Sequence, residues 1–185
     1  YLQQAIAEKA QAEVGAAQQE VNKEKTNRGA TLRSGLVAIS LKDKHIAIGE
    51  DGVITIPVVA FSNPLRNTRK ILCMPSNLGG KQLHYARTSK NEELEYIIDV
   101  PSAGKYTLSA RVVTPSSNQQ LQLAVNESEK LIDIALPFTV GMWDTTQPVV
   151  ITMKKGKNVL TFSRNHEGLK GVTIKDFTLT PVNTE

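Results

Sequence analysis

From about residue 35 onward, apolar side chains recur at every second position. In YTLSARVVT (106–114), Tyr106, Leu108, Ala110 and Val112 fall on one side, and Thr107, Ser109 and Arg111 fall on the other. A period of two turns one face of an extended strand into a core and the other toward water. The same rhythm runs through GLVAISL (35–41), HIAI (45–48), VITIPVVAF (53–61), KILCM (70–74), QLHYART (82–88) and LEYIIDV (94–100). It returns in LQLAVN (121–126), KLIDIAL (130–136), PVVITM (148–153), NVLTFS (158–163) and VTIKDFTLT (172–180). Turn residues separate these segments, at Lys42-Asp43-Lys44, Glu50-Asp51-Gly52 and Pro101 to Gly104. Gly156, between two alternating segments, reads as a hairpin turn. Many short strands without intervening helical periodicity predict an all-β fold, an antiparallel two-sheet β-sandwich (jelly roll). The candidates outnumber the eight strands of a simple jelly roll. Residues 34–62 are therefore read as a β-hairpin lead-in and residues 63–185 as the sandwich.

Residues 1–33 follow another rule. Leu2, Ile6, Val14 and Val21, with Ala10 and Ala17 between them, share one stripe at helical spacing, in a background of Ala, Gln, Glu and Lys. The reading is a long N-terminal α-helix, about 40 Å over its first 28 residues, stopped near Asn27-Arg28-Gly29. Gly15 weakens it by about 1 kcal/mol. So thin a stripe needs a partner surface: the sandwich, an upstream domain, or self-association of helices from several copies. With Tyr1 at its start, the chain reads as a piece of a longer protein.

Charge and chemistry narrow the classes of function. The 22 basic and 18 acidic residues are interspersed over 185 residues, for a net +4. No arginine-rich run interleaved with aromatics occurs, so nucleic acid is not an expected partner. No apolar run approaches the ~20 residues of a membrane span. Cys73 is the only cysteine and reads as a small core residue. His45, His84 and His166 are dispersed, and no nucleophile–base motif or cleft-spanning carboxylate pair is legible, Glu92, Glu93 and Asp133 reading as solvated. The chain is expected not to be an enzyme and to hold no catalytic metal.

The blocks GGKQLHY (79–85), EYIIDVPSAGKYTLSARV (95–112), LPFTVGMW (136–143), VVITMKKGKNVLTF (149–162) and GVTIKDFTL (171–179) follow in that order. This succession resembles carbohydrate-binding modules of families six and thirty-five, galactose-binding-like β-sandwiches, over about residues 55–185. The resemblance implies a noncatalytic sugar-binding accessory domain of a larger extracellular or cell-surface protein. Its alternative is a structural or protein-interaction sandwich with a degenerate sugar site. It implies sugar stacking on Tyr85 and Trp143, with His84 and Thr173 as hydrogen-bonding neighbours. The family's Asn falls on Thr173, and the following Asp position holds Lys175. The family's structural calcium position falls on Val58 and Val59, so no cofactor is expected. Lys154, Lys155, Lys157, Arg164, Lys170 and Lys175 add positive charge that would suit an acidic glycan.

Overall fold

The computed structural model describes residues 39–63, 71–85, 93–164 and 171–182. The helix expected over 1–33 lies outside them, as do His166, Lys170 and Glu92. Among the described residues twelve strands run in order: β1 (Ala47–Ile48), β2 (Ile54–Pro57), β3 (Ile71–Pro75), β4 (Lys81–Tyr85), β5 (Leu94–Val100), β6 (Gly104–Val113), β7 (Gln119–Val125), β8 (Ile132–Leu136), β9 (Asp144–Thr145), β10 (Val149–Met153), β11 (Gly156–Arg164) and β12 (Thr173–Pro181). Short 3₁₀ turns occupy Lys42–Lys44 and Val58–Ala60. Among the described residues no helix is long and apolar enough to cross a membrane.

The strands form two antiparallel sheets. In the first, β12 is central. β6 lies along one side of it from Thr173 to Pro181, while β4 and β2 share the other side, end to end. β1 extends β2, β3 extends β4, and β9 and β10 lie outside β6. The second sheet has the order β5-β11-β7-β8.

Alternation explains the core. On β5, Leu94, Tyr96, Ile98 and Val100 are buried; on β6, Tyr106, Leu108, Ala110 and Val112 are. The centre is a three-ring cluster. Phe162 of β11 stacks on Phe177 of β12 with centroids 4.1 Å apart, and Tyr96 meets both edge-on at 5.6 and 5.5 Å. Such ring pairs add to the burial of their area, and here they join the two sheets. The Tyr96 hydroxyl donates to Val58 O at 2.6 Å, which binds the Val58–Ala60 turn to the core. Burial holds that hydroxyl's pKa well above its ordinary value. Cys73 is a core residue, its thiol pushed up to about 11 by burial.

Two expectations are corrected. Within the expected lead-in over 34–62, the described segment 54–61 is part of the sandwich: β2 pairs with β12 inside the first sheet, and Ile54, Ile56, Val58, Val59 and Phe61 belong to the common core. Gly156 does not turn a hairpin either. β10 pairs with β6 in the first sheet, and β11 pairs with β5 and β7 in the second, so Lys154-Lys155 carries the chain from sheet to sheet. Fully buried Asn158 holds this crossing. Its Oδ1 accepts from Lys154 N at 3.1 Å and from Asn126 Nδ2 at 2.8 Å, and its Nδ2 donates to the carbonyls of Lys154 and Gly156.

Candidate functional site

Of the polar residues singled out above, His84, Thr173 and Lys175 belong to the outer face of the first sheet. His84 on β4 opposes Leu72 on one side and Thr173 on the other, and Thr173 opposes Val113 of β6. One strand further out, Asp144 and Thr145 of β9 oppose Val112 and Arg111. Thr146 points inward: it is buried, and its hydroxyl accepts from Ala110 N at 2.9 Å. Counting back by alternation, Thr145 and Trp143 point outward. Trp143 therefore shares a face with His84 and Thr173, about 10 Å of sheet from Thr173.

A turn crosses this face. The β3–β4 connection, Ser76 to Gly80, is drawn over β12 by Lys175, whose Nζ donates to Gly79 O at 2.5 Å and to Lys81 O at 3.0 Å. Gly79 and Gly80 hold φ of 82° and 61°, which residues with a Cβ rarely adopt. At the tip, Asn77 accepts from the half-buried Trp143, Nε1–H to Oδ1, at 2.9 Å. The indole is thereby oriented with its polar edge occupied. Beside it, Arg111 pairs with Asp176 at 3.2 Å. Burial raises the Asp176 pKa against the pull of Arg111 and Lys175, and burial lowers that of Lys175.

His84 and Thr173 are brought together, with Nδ1 and Oγ1 2.9 Å apart. Burial lowers the His84 pKa, so the neutral ring is favoured. Tyr85 corrects the expectation of a Tyr85–Trp143 stacking pair. It is 1% exposed, a core residue. The reason is the strand's period: Leu83 and Tyr85 point inward, so His84 alone can point outward. Placed thus, Tyr85 and Trp143 lie on opposite sides of the sheet and do not share a pocket.

Sequence reasoning did not single out Asn77 or the Phe138–Met142 turn, where Phe138, Val140 and Met142 stand exposed. The signal was present as apolar letters without alternation in PFTVGMW. It also missed a cleft of about 520 Å³ between the β7–β8 turn and β10, lined by residues including Asn126, Leu131 and Val150. None of the four candidate residues lines it. At the family's calcium position, Val58 and Val59 are buried, and the Val58 carbonyl already accepts from Tyr96. These residues do not fit a hard cation, which needs several oxygens. Among the described residues no three His, Cys, Asp or Glu side chains converge.

No family model matches the sequence, and no curated protein does. Solved structures do resemble the fold. The C-terminal family 6 module of the laminarinase LamC from Zobellia galactanivorans aligns over 69% of this chain and 98% of its own, with a TM-score of 0.55 and 17% identity. A family 6 module from Cellvibrio mixtus lichenase 5A, solved with cellotriose, aligns over 70% and 97%, at 0.55 and 19%. A family 35 module from Clostridium thermocellum aligns over 75% and 98%, at 0.53 and 16%. The sandwich thus has the fold of family 6 and family 35 carbohydrate-binding modules.

Proposed function

We propose that this chain is a noncatalytic carbohydrate-binding module whose contact surface is centred on Trp143. The observation that carries the reading is the indole itself: half-exposed, turned outward, and fixed by Asn77 so that a ring face can meet a pyranose. His84 and Thr173 supply donors and acceptors farther along the same face. Attachment to a larger secreted or surface protein belongs to this proposal and rests on the fold alone. So does the independence of residues 1–33 as an appendage. Affinity should be modest. A disaccharide has about two dozen heavy atoms, and ~0.3 kcal/mol per atom sets a ceiling on the order of 10 μM.

The burial of Tyr85 favours a second reading, a packing module whose sugar site has decayed. Titrating Trp143 fluorescence against a panel of neutral and acidic polysaccharides decides between them. A saturable change that Trp143→Ala removes supports sugar binding. Silence across the panel leaves the packing module.

A further inference from the structure

Two turns of the molecule share a backbone and differ in side chains. Val125–Ser128 closes with Ser128 N donating to Val125 O at 3.1 Å, and Asn126 and Glu127 at its centre hold φ of 52° and 61°. Thr139–Met142 closes likewise, Met142 N to Thr139 O at 3.0 Å, with φ of 51° at Val140 and 87° at Gly141. Positive φ at both central positions is the type I′ pattern, for which Asn-Gly is the favoured pair. Asn126 obeys that preference. Val140 does not: a β-branched residue at positive φ is strained backbone.

Packing of the Val140 side chain does not compensate, because it is 77% exposed. The turn is nonetheless firmly held. Thr114 N donates to Thr139 Oγ1 at 2.9 Å, Thr139 N and Oγ1 donate to Thr114 O at 3.3 and 3.2 Å, and Thr114 Oγ1 donates to Pro137 O. Phe138 and Met142, 56% and 73% exposed, flank Val140, and Trp143 follows directly. A rigid turn thus displays an apolar tip beside the indole at a cost in backbone strain.

We propose that this tip binds O-acetyl groups of an acetylated polysaccharide whose sugar ring lies on Trp143. The inference rests on the carbohydrate reading and names its ligand class. A bare pyranose meets a stacking ring best when polar side chains surround it, because aliphatic neighbours leave its hydroxyls unpaired. An acetyl methyl projects beyond the sugar's edge and gains by burial against Phe138, Val140 and Met142. An anionic sugar is the weaker fit: the cations nearest in register, Arg111 and Lys175, are engaged by Asp176 and by the Gly79 and Lys81 carbonyls. A second copy of the chain is also a poor occupant. The tip offers three side chains, where each partner of a stable protein complex contributes roughly 20–30 residues.

The test measures binding of the full chain to O-acetylated xylan and O-acetylated glucomannan, each paired with its own saponified form. Wild type should bind at least one acetylated polymer about tenfold more tightly than the saponified polymer. Val140→Asn, which suits the turn, should erase most of that preference while raising the thermal midpoint by about 4 °C. Equal binding to acetylated and saponified polymers, lost in Trp143→Ala, overturns the acetyl inference and leaves the carbohydrate reading standing. Full preference retained in Val140→Asn overturns it as well. Absence of binding to every polysaccharide tried overturns both.

Discussion

The protein places its rings and large aliphatic side chains in two settings, and the contrast assigns their roles. Between the sheets, Tyr96, Phe162 and Phe177 are sealed from water, each in contact with the other two. Along the Phe138–Met142 turn, Phe138, Val140 and Met142 stand exposed, while the buried Thr139, through its hydroxyl and its backbone, ties the turn to Thr114. In the first setting the rings hold the sheets together. In the second their removal would cost the fold little, as the proposed role in ligand contact requires. Composition cannot separate the two settings. The face on which the strand period sets each residue does.

The sharpest test of that contrast is the largest perturbation. Phe162→Ala should cost about 3–5 kcal/mol, the range for deleting a buried ring and leaving a cavity. Urea denaturation would show it as a lower midpoint at unchanged slope. A loss below about 1 kcal/mol would mean that the stacked pair is not the junction between the sheets. Asn158→Ala should come next, at about 2–3 kcal/mol, because it orphans Lys154 N and the carbonyls of Lys154 and Gly156 at the sheet-to-sheet crossing. Asn158→Asp should cost at least as much as Ala in the same denaturation, because it sets a buried carboxylate oxygen against the carbonyls of Lys154 and Gly156.

Trp143→Ala should invert the pattern, costing about 1 kcal/mol or less in stability while removing polysaccharide binding. Acrylamide quenching offers an independent check without a ligand. Trp143 is the only tryptophan, so its emission reports this site alone. Asn77→Ala should increase quenching by freeing the indole. An unchanged quenching constant would mean that the Asn77 contact does not hold the ring.

Much of this fold was legible locally, and what was missed is non-local. Strands such as β5 and β6 follow from alternation, and so do the buried positions of Tyr96 and Tyr106. Alternation says which face a residue takes, but not which strands pair. So β2, whose partner β12 lies at the far end of the chain, reads as part of a lead-in, and Gly156 reads as a hairpin turn where the chain in fact crosses between sheets. Tyr85 is a different kind of error. The period of QLHYART already set Leu83 and Tyr85 inward with His84 outward, and the family resemblance overrode it. Asn77 could not be read at all, since its contact with Trp143 spans 66 positions and depends on Lys175 drawing the turn across β12.

The smallest expected effect concerns His84 and divides the outer face itself. Burial lowers its pKa in the folded protein from the ordinary 6.5. Above pH 6.5 the ring is neutral in both the folded and unfolded states, so His84 adds no pH dependence there. As pH falls below 6.5, the unfolded chain takes up a proton that the folded chain resists. Stability should therefore decline until the folded pKa is passed, and then level off. The hydrogen bond to Thr173 does not set this sign, because the hydroxyl can donate to neutral Nδ1 or accept from the protonated ring. Desolvation sets it. His84→Gln keeps a partner for Thr173 and carries no titrating proton, so its urea midpoint should fall less than that of wild type between pH 7.5 and 5. Parallel curves for the two proteins would place the imidazole in water, and the dry part of this face would then shrink to the surroundings of Trp143.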